Sequence, residues 1–130
     1  GKPTFFAGMA SQSEEADNRY NEIFHAIVED QAGLLFKSKK FREGDLEKKQ
    51  LQVSNLLTEA RKATLGYMGR VASNSGDRAL LKMINISKGY SKLAVQRVLE
   101  DLGFDRTLDK LSAEELDTLE NALKFREDFI

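Results

Sequence analysis

The 130-residue sequence contains no cysteine, no tryptophan, one proline (Pro3) and one histidine (His25). The absence of cysteine excludes disulfide bonds, cysteine zinc sites, iron–sulfur clusters and thiol nucleophiles. Apolar runs are only a few residues long, so the sequence predicts no membrane-spanning segment. A chain without cysteine suits a reducing compartment, which favours the cytoplasm; a secreted protein or a fragment of a longer one stays an alternative.

Apolar residues make up 41% of the chain and charged residues 32%. This composition is too apolar for a disordered chain and too polar for a membrane protein. The length suffices for one domain but hardly for two. The sequence therefore predicts a single domain over residues 1–130, in which residues 1–12 form a loosely ordered lead-in.

Apolar residues recur at helical spacing in the first third of the chain. They form one wide stripe over about 25 residues, as in an amphipathic helix that packs on a core. The stripe consists of Ala16, Tyr20, Ile23, Phe24, Ile27, Val28 and Leu35. Lys37 to Lys40 follow, and cationic residues favour the end of a helix.

A longer helix is predicted from Asp45 to Val71. Leu46, Val53, Ala60 and Tyr67 are spaced by seven residues, which places them on one stripe that faces a neighbouring helix. We expect Val53, Ala60 and Tyr67 to be buried together with Leu57. The helix would be about 40 Å long, so part of it is expected to project or to pair with a second chain.

The remaining residues predict three shorter helices. A loop over Ser73–Asp77 precedes helices at about 78–86 and 91–102, and Gly103 suits a left-handed C-cap with Phe104 as its hydrophobic contact. Ser112 and Glu115 have the spacing of a capping box for a last helix. No segment alternates as a strand does. We expect an all-α, single-domain bundle of about five helices, in which the two long N-terminal helices form an antiparallel hairpin.

The formal net charge of −1 conceals a strong segregation along the chain. Residues 1–35 hold two basic and six acidic side chains, residues 36–97 hold fourteen and five, and residues 98–130 hold four and ten. In one interpretation the acidic terminal helices cover the basic middle and neutralise it. In the other, the basic middle binds a polyanion.

Residues 78–103 resemble a helix-turn-helix motif. In such motifs a residue that tolerates the left-handed conformation begins the turn, an apolar residue follows, and a hydroxyl caps the recognition helix. Asn85, Ile86 and Ser87 occupy these three positions, and a second alignment makes Ser91 the cap. A plain helical hairpin inside a bundle explains the same residues.

Lysine and arginine residues accompany this segment and the connector between the two long helices. Basic residues interleaved with aromatic ones can follow a nucleic-acid backbone and stack on its bases. Alternatively, Phe36 and Phe41 fold back onto the ends of the long helices. The candidate nucleic-acid-binding residues are Lys37, Lys39, Lys40, Arg42, Lys82, Lys88, Lys92 and Arg97.

Patterns typical of catalysis are missing from the sequence. Glu22 and His25 have the Glu-x-x-His spacing of di-iron bundle proteins, but such sites need a second histidine. Adjacent carboxylates point about 100° apart on a helix, and no phosphate-binding loop or nucleophile motif occurs. We therefore expect no enzyme activity, no metal, no cofactor and no small-molecule substrate.

The sequence is most consistent with a non-catalytic protein-interaction module: an adaptor, an effector fragment or an assembly domain. Such a module would recognise a protein partner, or a second copy of itself, through an apolar seam on the long helices. The candidate contact residues are Phe36, Phe41, Leu46, Gln50 and Val53. The alternative is an accessory or regulatory domain that binds nucleic acid through its basic middle, residues 37–49 and the helix-turn-helix-like segment 78–103.

Overall fold

The computed structural model describes residues 13–124; the lead-in predicted for residues 1–12 lies outside them. Within the described range the chain forms five helices of at least ten residues, one short helix and no strand. They are α1 (Ser13–Lys37), α2 (Lys39–Arg42), α3 (Leu46–Ser75), α4 (Arg78–Ser87), α5 (Ser91–Asp101) and α6 (Ala113–Ala122). Two 3₁₀ turns, Lys88–Tyr90 and Leu108–Lys110, precede α5 and α6. The predicted all-α bundle is confirmed.

Helices α1 and α3 form the predicted antiparallel hairpin and provide most of the core. The buried apolar residues of α1 recur every four positions: Ala16, Tyr20, Phe24, Val28, Ala32 and Phe36. One contiguous cluster joins them to buried residues of α3, α4, α5 and α6. Burial of these apolar side chains is the main stabilising contribution to such a fold.

The seven-residue row on α3 is buried only in its middle. Val53 and Ala60 lie in the core together with Leu57, whereas Leu46 is 39% exposed and Tyr67 is 49% exposed. The prediction that Tyr67 is buried is therefore wrong. A row of seven-residue steps drifts by about 20° per step around a straight helix, so both of its ends turn away from the core.

Helix α3 extends through three residues of the predicted loop. Asp45 caps its start by accepting a hydrogen bond from the Lys48 N–H. Its end is set by Gly76, whose φ of 72° is the left-handed conformation that suits glycine, and the Asp77 N–H then bonds the Ala72 carbonyl at 2.8 Å. Only the residues after Ser75 leave the helix, because polar side chains are tolerated on its exposed surface.

The connector between α1 and α3 is ordered by its two phenylalanines. Ser38 caps α2 by accepting from the Phe41 N–H, and its hydroxyl donates to the Leu35 carbonyl at 2.7 Å. The rings of Phe36 and Phe41 lie 5.0 Å apart and both are buried. Their interpretation as connector residues that fold back onto the long helices is confirmed.

The C-terminal part of the described chain covers the start of α3. The Gln50 side chain donates to the Leu111 carbonyl at 2.8 Å, and Leu116, Leu119 and Leu123 enter the core. The predicted capping box of Ser112 and Glu115 is present. The left-handed Gly103, with φ of 94°, ends α5 as expected, and Phe104 packs against the core.

Candidate protein-binding groove

A groove open to solvent runs along one side of the α1–α3 hairpin and encloses about 710 Å³. Its walls are side chains spaced by helical turns over about 12 Å of α1 and about 16 Å of α3. No residue of α4, α5 or α6 lines it. The lining residues are Ile27, Gln31, Leu34, Leu35, Ser38, Lys40, Gln52, Asn55, Leu56, Glu59, Ala60 and Ala63.

Leu34 is the most exposed large apolar side chain of the groove, with 65% of its surface open to solvent. Ile27, Leu35 and Leu56 are half-buried beside it and pack against the core. These side chains form an apolar floor rather than scattered surface residues. Such a contiguous apolar surface is typical of an interaction site.

The two ends of the groove differ in charge. Lys40 of α2 lies at one end, and Glu59 lies farther along α3. On α1, Asp30 precedes Leu34 by four residues and Lys37 follows it by three, so both are neighbours of Leu34 on the helix surface. Asp30 and Lys37 are exposed. Lys37 adds positive charge to the end of the groove near α2, and Asp30 adds negative charge farther from α2.

The contact residues predicted from the sequence lie beside this groove rather than in it. Phe36, Phe41 and Val53 are buried in the chain's own core and cannot reach a partner. Gln50 is half-buried and bonded to the Leu111 carbonyl, while Leu46 keeps 39% of its surface exposed. The start of α3 is therefore partly covered by the chain itself, whereas part of this helix was expected to project or to pair with a second chain.

The groove has a sequence signal in its adjacent apolar pairs. In Ile27–Val28 and in Leu56–Leu57, the second residue is buried in the core and the first lines the groove. Neighbouring side chains point about 100° apart on a helix, so an apolar pair covers more width than one core contact needs. The pairs thus indicate a second apolar contact.

A buried arginine, Arg61, lies where α3 packs against α4 and α5. Arg61 is only 2% exposed. Its Nη1 donates to the Tyr20 hydroxyl at 3.1 Å, its Nη2 donates to the Ser87 carbonyl and to the Ser87 hydroxyl, and its Nε lies 3.4 Å from Ser91 Oγ. The guanidinium therefore ties α1, α3 and the start of α5 together, as a buried cation with several acceptors can.

The same environment shifts the ionisation of Tyr20. Burial raises the pKa of its phenol above the ordinary value of 10.0, and the nearby charge and hydrogen bond of Arg61 oppose that shift. The guanidinium also lies over the ring, 5.5 Å from its centroid. These contacts fix the helices relative to one another.

All eight candidate nucleic-acid-binding residues are exposed, but they belong to two separate groups of elements. The first group lies at the end of α1 and in α2 and consists of Lys37, Lys39, Lys40 and Arg42. Within it, the Nζ of Lys39 lies 4.0 Å from Oε1 of Glu43. Lys82, Lys88, Lys92 and Arg97 belong to α4, α5 and the turn between them.

Acidic α6 comes close to the basic start of α3. Burial raises the pKa of the Glu120 carboxyl, and the positive charges of Lys124 and Lys49 oppose this shift. Lys49 also lies over the Phe41 ring, 5.6 Å from its centroid. The basic middle is therefore partly covered by the acidic end of the chain.

The helix-turn-helix resemblance fails at the turn. Helix α4 continues through Ser87, which is buried and bonded to Arg61 instead of capping α5, and Ile86 is exposed. Ser91 begins α5 without a side-chain cap, since its hydroxyl donates to the Lys88 carbonyl. Helices α4 and α5 each pack on α3 and make little contact with one another.

The described residues contain no group of three or more side chains that could hold a metal ion. Glu22 and His25 both lie on the exposed surface of α1. Partial burial of the imidazole lowers the pKa of His25, and the negative charge of Asp101 opposes this shift. Among residues 13–124, no helix is both long enough and apolar enough for a membrane span.

No protein-family model, curated protein or solved structure matches this chain. The lining residues, exposure and charges of the groove between α1 and α3 are therefore the observations that bear on its role.

Proposed function

We propose that this chain is a non-catalytic protein-interaction module that binds a protein partner in the α1–α3 groove. The observation that carries the proposal is an apolar floor with Leu34 projecting from it, left uncovered by the rest of the described chain. Burial of such a surface against a partner is the usual driving force of association.

The dimensions of the groove suit a helix as the bound element. An amphipathic helix in a groove uses anchors at positions i, i+4 and i+7, which span about 10 Å. The groove is about 12 Å long on α1 and about 16 Å long on α3. Its volume of about 710 Å³ is several times the ~150 Å³ that holds one benzene-sized group. Three apolar side chains can therefore be accommodated in a row.

Affinity capture from the source cells, with and without nuclease and at two salt concentrations, tests this proposal. The wild-type chain is compared with Leu34→Glu, which places a charge in the apolar floor. The matched control is Leu51→Glu, because Leu51 is similarly exposed at 61% but does not line the groove. We expect a nuclease-resistant partner whose yield falls about tenfold with Leu34→Glu and is unchanged with Leu51→Glu.

Equal yields from wild type and Leu34→Glu would contradict the groove as the binding site. Circular dichroism and a thermal melt show whether each variant is folded. Because both leucines are mostly exposed, neither substitution is expected to change the helical content.

The alternative proposal is nucleic-acid binding through α4, α5 and the turn between them. It is supported by the exposure of Lys88, Lys92 and Arg97 in a segment, residues 78–99, that has no acidic residue. Replacing all three by alanine should reduce the slope of log affinity against log salt by about one unit for each lost phosphate contact. An unchanged slope in a folded variant would exclude this surface.

A further inference from the structure

Three lysines lie at the end of the α1–α3 groove that is near α2. Lys40 lines the groove, and Lys37 follows Leu34 by three residues on α1. Lys48 precedes the lining residue Gln52 by four residues, so the two side chains are neighbours on the surface of α3. All three lysines are exposed, and each comes from a different helix. We call them the basic end of the groove.

Two carboxylates lie farther along the groove. Glu59 lines it on α3, and Asp30 precedes Leu34 by four residues on α1. Both are exposed, and the Gln31 amide donates to the Asp30 carboxylate at 3.5 Å. Asp30 and Lys37 are seven residues apart, which is about 10 Å along a helix. We call Asp30 and Glu59 the acidic end of the groove.

Other charged side chains near the two ends reduce this polarity but do not cancel it. Near the basic end, Asp45 caps α3, and Oε1 of Glu43 lies 4.0 Å from the Nζ of a fourth lysine, Lys39. Near the acidic end, Lys62 follows Glu59 by three residues. The basic end therefore has four lysines for two carboxylates, and the acidic end has two carboxylates for one lysine.

The separation of the two ends matches the charged turns of a bound helix. Apolar anchors at positions i, i+4 and i+7 cover about 10 Å, and the turns on either side extend this length to about 20 Å. The ends are about 10 Å apart on α1, and on α3 the distance from Glu59 to Lys48 is about 16 Å. Charged side chains in the flanking turns can therefore face both ends while the anchors cover Leu34.

We infer that the partner helix is acidic in the turn before its apolar anchors and basic in the turn after them, and that its acidic turn lies at the basic end of the groove. The inference rests on the proposed function of the groove and names the chemistry and the direction of its occupant. Apolar contacts supply most of the affinity, and charge complementarity selects the orientation. Acidic residues in the first turn and basic residues in the last turn also stabilise the helix itself. The bound helix then runs parallel to α3 and antiparallel to α1.

The absence of cysteine makes disulfide trapping a direct test, because each introduced thiol is the only one in the chain. Gln52→Cys lies near the basic end and Ala63→Cys near the acidic end, since these lining residues follow Lys48 and Glu59 by four positions each. Leu51→Cys is the matched control, because Leu51 is exposed at 61% but does not line the groove.

The probe is a synthetic helix of about 15 residues with a hydrocarbon staple, because an unconstrained peptide of this length is only marginally helical in water. It carries leucines at positions i, i+4 and i+7, glutamates in its first turn and lysines in its last turn. One version has a cysteine in the first turn, and the other has it in the last turn. Each version is incubated with each variant in a glutathione redox buffer, and the disulfide-linked product is quantified.

We expect the cysteine of the acidic turn to be trapped by Gln52→Cys about tenfold more than by Ala63→Cys, and the cysteine of the basic turn to show the reverse preference. One exposed charge pair contributes only a few-fold, so the preference needs several pairs. It should fall below about twofold at about 1 M salt, where the screening length is about 3 Å. Adding Leu34→Glu should reduce trapping at both positions to the level of Leu51→Cys.

A charge-swapped background tests whether these charges set the direction. Lys37→Glu, Lys40→Glu, Asp30→Lys and Glu59→Lys together exchange the signs of the two ends without changing the apolar floor. The preference of each probe should then reverse. All four positions are exposed, and circular dichroism shows whether the variant is folded.

Equal trapping at the two groove positions would overturn the inference, as would a preference that the charge swap leaves unchanged. Trapping no greater than that of Leu51→Cys would overturn it as well. These outcomes are separable from failure of the proposed function. Equal trapping that Leu34→Glu abolishes leaves the groove a site for helices in either direction, whereas affinity capture that does not depend on Leu34 contradicts the groove itself.

Discussion

The two sides of the α1–α3 hairpin differ in how far the rest of the described chain covers them. Towards α4 and α5, the long helices are covered and a buried arginine bonds to three surrounding residues. On the groove side the floor consists of apolar side chains that pack against the edge of the core, but no other element of the described chain covers them. The comparison separates the residues that stabilise the fold from those left for binding, and it predicts that substitutions on the two sides affect different properties.

The largest effect on stability is expected from Arg61→Ala. The substitution removes the donor to Tyr20, Ser87 and Ser91, and it leaves the buried oxygens of Tyr20 and Ser87 without that hydrogen bond. We expect the free energy of unfolding to fall by about 3–5 kcal/mol in denaturant melts. The exposed Arg70→Ala is the control and should change it by less than about 0.5 kcal/mol. Equal melts for the two variants would refute a structural role for the buried guanidinium.

The next effect is a contrast between two adjacent leucines on α3. Leu57 is fully buried and Leu56 lines the groove. Leu57→Ala should cost about 2–5 kcal/mol because it leaves a cavity in a closed core. Leu56→Ala removes the same atoms beside open solvent and is expected to cost less than half as much. If the two costs were equal, the groove would be as closed as the core.

A smaller effect is expected in the dependence of stability on pH. The pKa of Tyr20 is raised in the folded chain, so above pH 10 the unfolded chain loses its phenol proton first and the free energy of unfolding falls as the pH rises. Tyr20→Phe should remove this contribution and flatten the decline, measured by denaturant melts between about pH 9 and pH 11. Tyr67→Phe changes a phenol outside the Arg61 network and should leave the decline as in the wild type. A decline that is the same in both variants would contradict this origin.

The smallest effect on stability is expected on the open side. Leu34→Glu and Leu51→Glu each place a charge on a largely exposed position, and both should change the free energy of unfolding by less than about 0.5 kcal/mol. Their difference should appear only in binding. A large loss of stability in Leu34→Glu alone would assign Leu34 to the core and close the groove.

Helical periodicity was enough to predict the fold class, the two long helices and their antiparallel arrangement. Local chemistry also predicted the Gly103 cap and the Ser112 capping box. The end of α3 was placed too early because polar Ser73 and Asn74 resemble a loop, whereas it is Gly76 that stops the helix. A run of polar residues is typical of a loop, but the exposed surface of a helix also tolerates polar residues.

The candidate site was harder to predict than the fold. Phe36, Phe41 and Val53 satisfied the expectation of an apolar seam, yet the chain uses them for its own core. Arg61 had a signal of its burial in the sequence, because it lies four residues after Leu57 and four before Leu65, the spacing of a buried stripe. Periodicity indicates which face of a helix is apolar, but tertiary contacts decide which part of that face stays open.

The hydrogen bond from Gln50 to the Leu111 carbonyl has a consequence for how the molecule opens. It joins residues 61 positions apart, whereas the contacts that build the α1–α3 hairpin close shorter loops. Docking of the segment that carries α6 therefore closes a longer loop than the hairpin does, at a loop-closure cost that grows only slowly with loop length. If that segment detached, Glu120 would withdraw from Lys49, and the first turns of α3 would lose the carboxylate that lies close to their positive charge.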